Sequence, residues 1–353
     1  MLGNKSHLWG LRLLSATGAA ALLLLGAPSV SSAATRTSDL VEPAVEHTAS
    51  PQLASPSKAL CKKSSYKIGY DVFSDTQPFA DLVTTGLDNA AKSTGCATIV
   101  KTVDNENGPV AVANLKTLIT EGVDGFVDFQ ILAAYQPAIA NLLKSAKIPG
   151  VAIVGANLPG SPDVGANNYA SAYEDGVYLA TQASKRFPGK VPYFLGGAEP
   201  SSGALILDRY TGAVAGEKKV FPNLPSSHVI EVQNDGTETT AYNNTLSALS
   251  AVPKNAVVLL TGVNDEVTGG MAKATQARGF ADYLVNSYGG DSYGLGQACT
   301  NSHYVGAWYL EPMVWGEDAL VAIMDQVNGV AVPGTIGVIG EEVTSSTPFL
   351  HCK

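Results

Sequence analysis

Residues of special chemistry are scarce in this sequence: four cysteines, five histidines and three tryptophans in 353 residues, with only 15% of positions charged. Each shortage excludes something. His7, His47, His228, His303 and His351 show no metal-ligand spacing, and the cysteines match no zinc motif. No Gly-x-Ser-x-Gly elbow occurs, and Gly196-Gly197 is followed by no Gly-Lys-Ser/Thr, so neither a hydrolase nucleophile turn nor a P-loop is spelled out. Asp104 to Gly108 has the flavour of a calcium loop, but Leu115 stands where such a loop needs its twelfth-position glutamate, so a solvated turn is expected. Lysine and arginine form no block and the net charge is −9, which argues against nucleic acid or an anionic membrane face as partner. With no nucleophile–base set in view, neither catalytic residues, metal nor cofactor is expected, and the chain reads as a non-enzyme.

The N-terminus reads as an address. Lys5, His7 and Arg12 precede an apolar stretch over 13–26, and Ser31, Ser32, Ala33 and Ala34 suit cleavage, so a signal peptide is expected over 1–34 and the protein is expected to be exported, to a periplasm or an extracellular space. No cysteine follows the apolar stretch, so no lipid anchor is expected there, and no other stretch approaches membrane length. Residues 35–59 are rich in Ser, Thr, Pro and Ala, a composition that cannot build a core, and read as a disordered linker. Export exposes the four cysteines to oxidation. Three pairings are possible. Cys61 precedes the first expected strand and Cys96 the second, and parallel neighbours begin side by side. Cys61–Cys96 with Cys299–Cys352 is therefore favoured, the latter stapling the C-terminal tail.

The full chain is 45% hydrophobic, and what remains beyond the linker is strongly periodic. Strands are expected at 66–73, 97–103, 125–129 and 150–154, with a helix after each of the first three. The first helix carries Phe79, Leu82, Val83, Gly86, Leu87 and Ala90 on one face, with Pro78 at its start and Gly95 at its end. A second series follows from 169, with strands at 191–195, 228–232, 256–260, 283–288 and 303–309. Alternating strands and helices imply parallel sheets covered on both faces, and so many strands imply two doubly wound α/β lobes. A single eight-stranded barrel would need one unbroken series, which Pro159, Gly160 and Pro162 interrupt. The expected division places 60–167 and 303–330 in one lobe and 168–302 and 331–353 in the other.

In open parallel sheets ligands bind beyond the carboxyl ends of the strands. That rule selects Phe73, Gln77 and Phe79 after the first strand, Gln130 after the third and Asn157 after the fourth. It adds Asn167 at the lobe junction, Asn264, Asp265 and Asp291 in the second half, and Trp308 and Tyr309 at the last crossing. Amides and carboxylates bond hydroxyls in pairs, and aromatic faces cover the apolar faces of a sugar ring. Plainer roles compete. Asp235 and Asp265 suit helix starts, Phe79 suits a core, and Trp308 suits a plug at the lobe junction.

The order of several short stretches over about 65–345 resembles the periplasmic sugar-binding proteins of the ribose-binding type, the ligand receptors of ABC importers. Gln77-Pro78-Phe79 is similar to that family's Asn-Pro-Phe loop, and Ile148-Pro149 to its Ile-Pro before the fourth strand. Asn167-Asn168 is similar to the Asp-Asn of its first lobe crossing, and Asn264-Asp265-Glu266 to its Asn-Asp-Glu. Arg209 falls where the family carries a ligand-binding arginine. The family's Asp-Arg pair after the fourth strand is missing. Gly289-Gly290 stands where it has an aspartate, and Tyr309 or Leu310 where it has a glutamine. The resemblance implies a type I periplasmic-binding-protein-like fold with three crossing segments. It also implies a monomer that closes on a small polar ligand, expected to be a carbohydrate, and then docks on an ABC permease. Alternatives on the same scaffold are a ligand-sensing subunit for a chemotaxis receptor or kinase, or an exported enzyme acting on sugars or nucleosides. A sugar-responsive repressor is excluded by the signal segment and the missing DNA-binding helix pair.

Overall fold

A computed structural model describes residue 53, residues 55–153 and 158–350, and residue 352. The expected signal peptide, most of the expected linker and Asn157 lie outside the described residues. Strand β1 (Tyr66–Val72) is buried at every position but Lys67, as a strand covered on both faces must be. It sits between β2 (Ala97–Val103), whose partly exposed residues mark a sheet edge, and β3 (Gly125–Phe129). With β4 (Gly150–Ile153), β5 (Asp163–Ala166) and β11 (Thr335–Val338), the first sheet runs in the order β11-β5-β4-β3-β1-β2, all parallel.

The second sheet repeats this order. It runs β12-β10-β9-β8-β6-β7, built from β6 (Tyr193–Ala198), β7 (Val229–Gln233), β8 (Val258–Thr261), β9 (Tyr283–Gly289), β10 (Tyr304–Tyr309) and β12 (Glu341–Val343). Only β12 runs antiparallel to its neighbour, β10. In each sheet the chain order reverses beside the first strand, which opens a crevice at the carboxyl ends of β1 and β3, and again of β6 and β8.

Helices α1 (Pro78–Thr94) and α9 (Pro312–Val327) cross on the first sheet. Their backbones meet at two glycines: a Cβ on Gly86 would lie 2.0 Å from the Met313 carbonyl oxygen, and one on Gly316 would lie 2.1 Å from that of Val83. On the second sheet, α4 (Asn168–Arg186) and α5 (Ala204–Val220) cross in the same manner, with Gly212 and Gly216 against the backbone of Tyr169 and Tyr173.

The chain passes between lobes at 166–168, 309–312 and 338–341. Two segments depart from the expected division. β10 belongs to the second sheet, and the residues that include β11 return to the first. The reason is a helix the sequence reading did not anticipate, α8 (Ser292–Thr300), which makes β9-α8-β10 a crossover unit whose two strands share a sheet. The stretch taken as a break between the series also holds a strand. β5 pairs with β4 and β11, and its brevity and flanking Pro and Gly hide it. The disulfides present are Cys61–Cys96 and Cys299–Cys352, with Cα separations of 6.3 and 5.2 Å. The first joins the residues leading into β1 to the start of β2, where Tyr66 lies beside Ala97. Among the described residues, no helix is long and apolar enough to cross a membrane.

Candidate functional site

A cleft holding about 700 Å³ of empty space, part of it open to solvent, lies between the carboxyl ends of the two sheets. The first lobe contributes Phe73, Gln77, Phe79, Glu106, Phe129 and Ile131. The facing lobe contributes Glu199, Ser202 and Ile206 after β6, then Arg209 from α5. Val263, Asn264, Asp265 and Glu266 follow β8, and Tyr288 and Gly289 end β9. Leu310 at a crossing and Trp315 of α9 close the floor.

The aromatic walls are braced in pairs. Phe73 meets Phe129 edge-on at 4.9 Å between ring centres, and Phe79 meets Trp315 likewise at 4.9 Å. Phe79 thus serves both readings, packing on Trp315 and lining the cleft. Arg209 is held by its Nε, which donates to Asn168 Oδ1 at 2.8 Å, and by one terminal nitrogen, which donates to the Val263 carbonyl at 2.6 Å. Its guanidinium lies 5.4 Å from the centre of the Tyr288 ring. A guanidinium carries five N–H donors, so this anchoring leaves others to meet a guest.

Helix α7 (Asp265–Ala277) begins in the cleft wall. Asn264 caps it: Oδ1 accepts from the Val267 amide at 2.8 Å, while Nδ2 donates to the Gly236 carbonyl at 2.9 Å. Asp265 accepts from the Gly290 and Asp291 amides, both at 2.8 Å, and from the Ser287 hydroxyl. The turn after β9 is therefore wrapped around a buried carboxylate, and its glycines are required. Gly289 and Gly290 have φ of 137° and 91°, and a Cβ on Gly290 would strike the Tyr309 ring at 2.2 Å. Burial, then the nearby Asp291, holds the Asp265 carboxyl well above the usual range.

Among the described residues, one side-chain hydrogen bond spans the cleft directly. Gln77 caps α1 through Oε1, which accepts from the Ala80 amide at 2.6 Å, and its Nε2 donates to Glu266 Oε1 on the opposite lobe at 2.9 Å. Glu266 Oε2 is buried without a partner, and burial, then Asp291, pushes this carboxyl up to about 7. Glu199 is 7% exposed; its Oε1 accepts from the Ser202 hydroxyl, and burial raises it against the pull of Arg209.

Of the residues expected from sequence, Phe73, Gln77, Phe79, Arg209, Asn264 and Asp265 come together in the cleft. Five others do not line it. Gln130 is buried, donating to Asp104 Oδ2 at 2.9 Å and accepting from the Leu132 amide. Asn167 caps α4 through the Ala170 amide, and its own amide donates to Val338 at another crossing. Asp291 caps α8 through the Tyr293 and Gly294 amides. Trp308 donates from Nε1 to the Ile339 carbonyl, which ties β10 to the third crossing, and Tyr309 packs on Gly290 and Phe349. Each obeyed the strand-end rule, but its side chain serves the interior of a lobe, a crossing or a helix start. Asp235 likewise accepts from the Thr237 and Thr240 hydroxyls beside the start of α6 (Glu238–Ala248).

The sequence reading also missed residues. Glu199 and Tyr288 stand at or just after the ends of β6 and β9, where the strand-end rule could have found them, and Glu266 follows Asn264 and Asp265 directly. Glu106 had been weighed only as part of a solvated turn. Trp315 sits inside a helix, where no local signal marks it.

A family model described as the periplasmic binding protein domain matches residues 68–330. The chain belongs to that family. Solved structures share this binding protein's fold at low identity. An ABC transporter periplasmic solute binding protein from Actinobacillus succinogenes, with bound D-allose, is 18% identical at a TM-score of 0.66, over 80% of this chain and 98% of its own. An ABC transporter solute binding protein from Mycobacterium smegmatis, with bound glycerol, is 18% identical at a TM-score of 0.67, over 82% of this chain and 97% of its own. A LacI family transcriptional regulator from Enterococcus faecium, with bound ribose, is 18% identical at a TM-score of 0.60, over 80% of this chain and 99% of its own. Comparison with curated protein sequences returns no match.

Proposed function

We propose that this binding protein captures a small polar ligand of the sugar or polyol class in the cleft, closes over it, and presents the closed form to the permease of an ABC importer. The observation that carries this is the cleft itself. Braced aromatic walls and an anchored arginine face each other from two lobes, and the Gln77–Glu266 bond already links those lobes. Closure about the three crossings would exclude water and strengthen each polar contact inside. The bound allose and glycerol of the two solute binding proteins above support the ligand class. The apolar N-terminal stretch with small residues after it supports export, with the mature chain acting as a monomer that binds without turnover.

A thermal-shift screen against sugars, polyols, amino acids and nucleosides tests the reading. A true ligand at a hundred times its dissociation constant adds about 2.7 kcal/mol to stability. A hit confined to amino acids or nucleosides, with sugars and polyols silent, would overturn it.

A further inference from the structure

The charged groups of the cleft do not balance. Four carboxyl-bearing residues line it, Glu106, Glu199, Asp265 and Glu266, against one cation, Arg209. Asp265 is satisfied from within by three donors. The others are not. Glu199 has a single hydrogen-bond partner, Ser202, on Oε1. Its Oε2 makes no hydrogen bond among the described residues, and the residue as a whole is 7% exposed. The space over Oε2 is kept by Gly236, where a Cβ would come within 3.3 Å of that oxygen. Glu106 faces it from the other lobe, on a turn where Asn105 and Glu106 both adopt φ above +50°, at 53° and 56°. Arg209 makes no hydrogen bond to the group, since its bonds go to an amide and a carbonyl oxygen, and it acts on Glu199 only through space. The ion pairs among the described residues, Lys63–Asp124, Lys67–Glu121 and Lys273–Glu238, all lie outside the cleft.

Closing two lobes on a neutral guest would bring Glu106 and Glu199 together with nothing between them, and like charges in a drying cleft repel. A positive group removes that repulsion, and the aromatic residues Phe73, Phe79 and Phe129 line the same cleft. We propose that the ligand carries an ammonium group on a hydroxylated ring, as an amino sugar or amino cyclitol does, with the ammonium against Glu199 and under Glu106 and the ring hydroxyls toward Arg209. Among the described residues, no group of three or more acidic, His or Cys side chains is arranged to hold a metal ion. The inference rests on the sugar-class reading and narrows it.

Calorimetry on the full mature chain, with glucosamine, galactosamine and an aminocyclitol set against glucose, galactose and myo-inositol, separates the two. The amines are expected to bind about tenfold or more tighter than their parents, the scale of one charge-assisted hydrogen bond, with the margin shrinking as salt rises. N-acetylation, which removes the charge, should abolish the margin. E199Q should bring the amines down to the level of their parents, and a circular dichroism melt checks that this variant folds. Parents binding as tightly as the amines would overturn the inference and leave the sugar-class reading standing. Silence from amines, parents and acetylated forms alike would overturn both.

Discussion

Asn264 shows how a single residue can start a helix and line a cleft at once. Its carbonyl oxygen caps α7, its amide nitrogen holds the Gly236 turn beneath Glu199, and its side chain lines the cleft. Asn264→Ala is therefore expected to lower unfolding free energy by about 1 kcal/mol through the lost cap, and to weaken ligand binding as Gly236 loosens. Urea denaturation and calorimetry on one preparation check both. A variant with unchanged stability but weakened binding would make the residue a pure ligand contact. Asn264 was legible in sequence because it stands between a strand and a helix in an Asn-Asp-Glu order, although Asn167 and Asp291 at comparable places serve as caps and do not line the cleft. The Gln77–Glu266 bond was not, since those residues stand 189 positions apart and neither predicts the other's lobe.

At the scale of elements, the two lobes use one device, helix pairs pressed together at glycines. Gly316→Ala would set a Cβ 2.1 Å from the Val83 carbonyl, a clash with backbone that no rotamer relieves. It is expected to cost about 1–3 kcal/mol or more as α1 and α9 part. Gly296, in the exposed part of α8, offers the contrast, because nothing lies within 4 Å of a Cβ there. Gly296→Ala is expected to stabilise by roughly 0.5–1 kcal/mol through helix propensity. Thermal melts of both variants should move in opposite directions, and parallel shifts would contradict the packing account. Strands of seven residues such as β1 and β2 stood out in the sequence. β4 and β8, only four residues long, also stood out within unbroken apolar runs. β5, β11 and β12, as short or shorter but interrupted by Asp, Gly, Thr or Glu, did not and are held by their neighbours.

The molecule as a whole stores many buried carboxyls. Burial lifts Asp128 to about 8 and Asp175 to about 7, with hydrogen bonds from Gln136 and Asn286 opposing it. It also lifts Glu342 to about 9 and, aided by Asp71, Asp104 to about 7. A carboxyl raised in the folded state binds its proton more tightly there than in the unfolded chain. Its contribution to stability is complete below the ordinary value near 4 and is lost as pH rises through the folded value. The carboxyls lowered in the fold, Asp124 beside Lys63 and Asp235 among its threonines, act only in acid, below the ordinary carboxyl value, and leave this interval unchanged. The urea midpoint is therefore expected to be higher at pH 5 than at pH 8.5, with a shallower slope in Asp128→Asn and Glu342→Gln. A midpoint that rises over that interval would contradict the burial of these groups.

Local chemistry alone determined that this chain alternates strands and helices, that its sheets are covered on both faces, and that a binding site belongs at the strand ends. Periodicity, caps and turn residues act over a few positions and are written there. Tertiary structure alone decided which strand ends meet. It placed β10 in the second lobe and β11 in the first, turned Gln130, Asn167, Asp291, Trp308 and Tyr309 to the lobe interiors and crossings, and brought Glu106, Glu199 and Trp315 to the cleft. The physical reason is that facing across a cleft is a relation between sheets, set by how two halves pack and where the chain crosses, and no short stretch of sequence encodes it.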